Sequence, residues 1–287
     1  MSAAARLYRR SPLARTLFSF FTVALVFLIF ADLEIATVDP WDEFGRLLTG
    51  IVTPDFFATE NLISALVNTL AFAFLGVAFG VGFGFLLALG FHSRAVRTFC
   101  VVVRAVHELF WALIFLQLFG LSPLTGILAI GIPYAGIVAK VFAEILEEAD
   151  GRAVDAAPSG ASRLSTLLFV RLPDVWSHFR TYALYRLECG LRSSAVLGFV
   201  GLPTLGFHLE TAFRQGRYSE VSALLILFYV IIASQRLWAR RQLVPVYLIG
   251  AALVLPWATH ISGANIARFL TIDIVPFPLR NGDGISG

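Results

Sequence analysis

Long apolar stretches alternate with short polar segments along the whole chain. The apolar stretches cover 16–31, 62–91, 101–119, 124–141, 174–201, 221–237 and 244–260. Most are close to the ~20 residues that carry an α-helix across the hydrocarbon core. The pattern predicts an all-α integral membrane protein, a polytopic bundle of six or seven transmembrane helices. One polar island interrupts it. Residues 143–173, AEILEEADGRAVDAAPSGASRLSTLLFVRLP, hold Glu144, Glu147, Glu148, Asp150 and Asp155 with Arg152, Arg163 and Arg171, and Gly151, Pro158 and Gly160 break the helical pattern. Lipid cannot solvate such a segment, so it is expected to face water.

Composition supports the membrane reading: 58% of the 287 residues are hydrophobic, 14% are charged, and 27 are Phe. A soluble fold with so few charged groups would expose large apolar patches. The net charge of +3 says less than its distribution. Arg6, Arg9, Arg10 and Arg15 precede the first span, and His92, Arg94, Arg97 and Arg104 follow the second. Acidic residues dominate between them, from Asp32 to Glu60, against Arg46 alone. By the positive-inside rule the N-terminus is cytoplasmic, 32–60 is external, and counting spans returns the island to the cytoplasm. No small-x-small cleavage pattern follows Phe30-Ala31-Asp32-Leu33, so the first apolar run is expected to be retained.

Several chemistries are excluded. No GxxxxGK[ST] phosphate cradle is present, and no HExxH or GxSxG. Cys100 and Cys189 lack metal-ligand spacing, so no metal, cofactor or catalytic residue is expected. A basic face on a soluble fold, which nucleic acid would require, is missing too. On a helix Glu188 and Arg192 stand one turn apart and can pair. Such a pair either pins helix packing or lies beside a polar path. His107 and Glu108 suit a structural role at the membrane surface.

Two blocks carry a family resemblance. Gly160, nine residues, then Val170-Arg171-Leu172-Pro173 resembles the second half of the cytoplasmic EAA motif of bacterial ABC importer permeases. In the first half Val154 stands where the family has Glu, followed by Asp155 and Ala156, with Pro158 inside the first helix. The second block, YRLECGLRSSAVLGFVG from Tyr185 to Gly201, is similar to the YRFE-x2-IR-x-A-x-VLG-x-VG stretch of phosphonate importer permeases. His107 to Phe115, then Gly120 and Gly136 to Glu147, extend the likeness. After Gly201 the family's glycine-rich sequel is replaced by Leu202-Pro203-Thr204-Leu205-Gly206.

The resemblance implies a permease subunit of an ATP-driven importer in the bacterial cytoplasmic membrane, translocating phosphonate, phosphite or a related small oxyanion. It further implies ABC ATPase subunits, an extracytoplasmic substrate-binding protein and a second permease copy as partners, within the lipid bilayer and without nucleic acid. It places ATPase coupling at Asp155, Ala156, Gly160, Arg163, Leu172 and Pro173; as polar groups within a span, Tyr185, Glu188, Arg192 and Ser194 are the candidates for the translocation path. Three blocks follow: 1–60, the first span and external acidic segment; 61–241, the permease core with its coupling loop 143–173; and 242–287, an extra span and external tail. That last block loosely echoes the start of the chain (Arg9-Arg10, Pro54; Arg240-Arg241, Pro276), as a second permease unit would. The alternatives are a permease for another small solute such as an amino acid, a half-unit needing a different permease, or a membrane-embedded enzyme.

Overall fold

A backbone in lipid must close its own hydrogen bonds, and each long apolar run does so as an α-helix. The computed structural model describes residues 12–31, 39–149, 160, 162–239, 242–257 and 263–273. The chain divides into two compact units, Met1–Leu48 and Thr49–Gly287. The first contains α1 (Pro12–Phe30) and the start of α2 (Pro40–Val52). The Asp39 carboxylate accepts the Trp41 and Asp42 amides and so caps α2.

The second unit is built on the pair α3 (Leu62–Leu89) and α6 (Pro123–Glu148), which share the most extensive helix contact. Their closeness comes from small residues at every fourth position. A Cβ on Gly76, Gly80 or Gly84 would lie 2.8, 2.8 and 2.7 Å from the Cβ atoms of Ile130, Tyr134 and Val138. The small-xxx-small spacing of Gly76 and Gly80 is therefore a helix contact. Ser122 caps α6 through the Thr125 amide, and Thr125 Oγ1 donates to the Gly120 carbonyl at 2.7 Å.

Between these helices the chain runs through α4 (Arg94–Ala105) and α5 (Glu108–Phe119), bent by 95°. The sequence predicts one continuous third span from Val101, and the structure breaks it. Val106 and His107 are extended, and the His107 ring accepts the Leu109 amide at 3.2 Å. The Trp111 indole donates to the Val103 carbonyl, which the break leaves without a helical partner.

The island begins as the last turns of α6, where Lys140 and Glu144 pair at 3.4 Å. Past 150–159 and 161, the described chain resumes as α7 (Arg163–Thr166) and a π-helical turn, Leu167–Arg171. These lead into α8 (Leu172–Val196) and a 3₁₀ turn, Leu197–Val200. Residues 201–220, which from their sequence are expected to form an external loop between two apolar stretches, contain a helix, α9 (Leu205–Arg214), set at 52° to the α7–α8 span. Leu205, Leu209 and Ala212 are spaced for one helix face, and Leu205 and Leu209 join Ala65 and Leu224 in a small core. The bend is tight because Gly198 lies against Gly206 and Phe207, and Gly206 against the Ala195 carbonyl. α10 (Tyr218–Trp238) follows, then α11 (Val244–Val254) and α12 (Gly263–Arg268).

Among the described residues four helices, α1, α3, α6 and α10, are long and apolar enough to cross a membrane, and there are up to six spans if each bent pair counts as one. At about 1.5 Å per residue, the eleven residues of α11 reach roughly half the hydrocarbon thickness of ~30 Å. The architecture is an all-α polytopic membrane bundle.

Candidate functional site

Two neighbouring faces of α8 are polar. Tyr182, Arg186, Cys189 and Ser193 recur at helical spacing on one; Tyr185, Glu188 and Arg192 lie on the next. The second face carries predicted path residues. Arg192 donates to Glu188 at 2.9 Å, with both side chains substantially exposed, and Tyr185 is 54% exposed. Ser194 is elsewhere. It is fully buried and donates to the Leu191 carbonyl, so it is not on the face of Tyr185, Glu188 and Arg192.

The first face reaches into the bundle. Ser193, nearly buried, donates to Glu108 at 2.8 Å and shares a 3.0 Å hydrogen bond with the Tyr134 hydroxyl. One hydroxyl thus joins α8 to α6 and to the first turn of α5, beside the 95° break. Gly190 allows the approach, since a Cβ there would run into Val77 of α3. Seven residues before Ser193, Arg186 donates from Nε and Nη2 to the Tyr182 hydroxyl at 2.8 and 2.6 Å. Its Cζ stands 5.6, 5.0 and 5.5 Å from the ring centres of Tyr134, Tyr182 and Tyr185. These ring faces hold the guanidinium by cation–π attraction without neutralising it. Among the described residues no carboxylate pairs with Arg186.

Sequence reasoning assigned no role to Tyr134, Tyr182, Arg186 or Ser193, and placed Glu108 at the membrane surface. The signal was the i, i+4, i+7, i+11 spacing of Tyr182, Arg186, Cys189 and Ser193, which marks one continuous face. Among the described residues no three His, Cys, Asp or Glu side chains are placed to hold a metal ion.

Of the predicted coupling residues, Asp155 and Ala156 lie outside the described residues, and only the backbone of Arg163 is described. Gly160 has φ +109°, and nothing stands within 4 Å of where its Cβ would be. Beyond it Leu164, Leu168 and Phe169 are exposed, Phe169 by 78%. Leu172 and Pro173 begin α8 directly after the π-helical turn, so a push on this turn is delivered to the helix carrying the polar faces. A cavity of about 520 Å³ lies beside the turn, lined by Leu89, His92, Leu146, Glu147, Leu167 and Arg171 among others.

Residues 76–245 match the family described as binding-protein-dependent transport system inner membrane component. The chain is 34% identical over 189 residues to a phosphite transport system permease protein of Stutzerimonas stutzeri, covering 62% of this chain and 69% of that one. It is 32% identical over 217 residues to a phosphate-import permease protein of Mycolicibacterium smegmatis, covering 71% of this chain and 40% of that longer one. A crystal structure of an amino acid ABC transporter with histidines matches the fold with a TM-score of 0.53 at 20% identity, covering 74% of this chain and 99% of that chain.

Proposed function

The chain belongs to the family of binding-protein-dependent transport system inner membrane components, and from this premise we propose that it carries a small phosphorus oxyanion, of the phosphite or phosphonate class, inward across the membrane. It is a multi-pass inner-membrane permease subunit of an ABC importer and not an enzyme; the family's ATPase is a separate subunit. The membrane-embedded enzyme is thereby set aside. The observation that carries the substrate reading is the 34% identity to a phosphite permease across 189 residues, a stretch longer than either motif block. The amino acid transporter shares the fold at 20% identity and lends no support to an amino acid substrate.

In this reading a homologous or identical second permease completes the path, a binding protein delivers substrate from outside, and an ATPase pair docks at the segment ending in Leu172 and Pro173. The exposed Leu164, Leu168 and Phe169 suit a helix-in-groove contact. Because the π-helical turn continues into α8, movement of the docked ATPase shifts the Tyr185, Glu188 and Arg192 face directly. Asp155, Ala156 and Gly160 would belong to the same docking element, with Val154 in place of the family's Glu. The basic residues ahead of α1 support a cytoplasmic N-terminus, and residues 242–287 form an added segment beyond the transport core.

Growth tests the substrate reading. A bacterium that oxidises phosphite but cannot import it, given this chain with its ATPase and binding protein, should grow on phosphite as sole phosphorus source. Failure there, with rescue of an amino acid auxotroph by the same proteins, would transfer the assignment to amino acids.

A further inference from the structure

We infer that Arg186 is the residue on which the oxyanion rests within the membrane, held out for it by Tyr134, Tyr182 and Tyr185; this rests on the oxyanion reading above. Arg186 lies ~21 Å along α8 from Leu172 at 1.5 Å per residue, half-buried against Tyr134 of α6 in a helix of the membrane bundle. A charge there is costly unless it is paired or used. Arg192 on the same helix pairs with Glu188 at 2.9 Å, and Lys140 on α6 with Glu144 at 3.4 Å. Glu108 on α5 accepts from Ser193 and makes no ion pair with Arg186.

The arrangement also leaves donors free. A guanidinium has five N–H groups, and Nε and Nη2 converge on one acceptor, the Tyr182 hydroxyl, while the tyrosine rings lie against its faces. The remaining edge has no acceptor among the described residues. A planar fork with free N–H groups matches two oxygens of a tetrahedral phosphorus oxyanion, as a lysine ammonium would not. Arg192 cannot serve equally, because an anion there would displace or face the Glu188 carboxylate. The Tyr134–Ser193–Glu108 chain fixes one wall of the cage and ties it to the break between α4 and α5. Movement of α8 thus changes the anion's surroundings.

Phosphite uptake into proteoliposomes holding the full chain with its ATPase and binding protein is the test. R186Q is expected to lower uptake at least tenfold while still co-purifying with the ATPase, and R192Q to lower it less. Wild-type liposomes that take up no phosphite would overturn the oxyanion reading itself. Wild-type uptake with R186Q equally active would overturn only the role of Arg186. Should R186Q fail to assemble, the unmodified protein decides through Cys189, one turn along α8 from Arg186 and half-buried, whereas Cys100 is buried. An anionic thiosulfonate should label Cys189 faster than a cationic one of similar size, and phosphite should slow the labelling. Equal rates unaffected by phosphite would refute the proposal.

Discussion

Replacing Gly80 with Ala places one methyl group in the α3–α6 contact. The new Cβ would lie 2.8 Å from Tyr134 Cβ and 3.0 Å from the Gly131 carbonyl oxygen. Carbon atoms pack comfortably at about 3.5–4.0 Å, so the helices must part by up to ~1 Å. The atoms in the way are a Cβ and a backbone oxygen, which cannot swing aside as a side-chain tip would. Overpacking of this kind costs about 1–3 kcal/mol. Ala also gains helix propensity over Gly, by ~1 kcal/mol in water, which would mask part of the loss. Gly82 removes that ambiguity: it sits on the same helix with nothing within 4 Å of its Cβ position, so its Ala variant has the propensity gain without the clash. The stability difference between the two variants isolates the packing cost, ~1–3 kcal/mol. Unfolding in mixed detergent micelles, followed by circular dichroism, measures it. Because Tyr134 also holds Ser193 and faces Arg186, Gly80→Ala should depress transport as well. Equal midpoints for the two variants would refute the close-packed seam.

Other expectations concern coupling and the polar seam. Phe169→Asp should weaken ATPase co-purification by roughly 30-fold or more, equivalent to ~2 kcal/mol for a hot-spot anchor, while membrane insertion is kept; unchanged co-purification would show that the exposed turn is not the docking surface. Gly160→Ala meets no steric obstacle, so its effect should come from φ +109° alone. A strain of ~1–3 kcal/mol should appear as lower ATP hydrolysis in response to loaded binding protein, with the membrane bundle's melting unchanged. Ser193→Ala should lower stability by ~0.6–1.7 kcal/mol, the range for hydrogen bonds between membrane helices, as read from the same unfolding titration.

The sequence made α3, α6 and α10 legible because their apolar runs are uninterrupted and long. α8 was harder, since Tyr182, Arg186, Glu188 and Arg192 give a membrane helix the look of a surface one. The 95° break at Val106 and His107 carries no Gly or Pro to announce it; the His107 ring capping Leu109 makes it possible. α9 was hidden because it is short and His208, Glu210 and Arg214 interrupt its apolar positions. At the site, the Glu188–Arg192 pair could be read from a spacing of four. The meeting of Arg186 with Tyr134, and of Ser193 with Glu108, depends on how α5, α6 and α8 pack, and no local pattern encodes it. The motif blocks mark α8 and the segment that leads into it, while packing determines which of the helix's polar side chains stay unpaired.

In the proposed function, ATP drives import of a phosphorus oxyanion through this chain. Labelled phosphite offered outside proteoliposomes, with ATP enclosed alongside the ATPase and the binding protein supplied on the opposite face, measures it most directly. Phosphite should accumulate in an ATP-dependent manner that excess methylphosphonate reduces and excess histidine does not. Accumulation of histidine in place of phosphite, or phosphite entry indifferent to ATP, would contradict it.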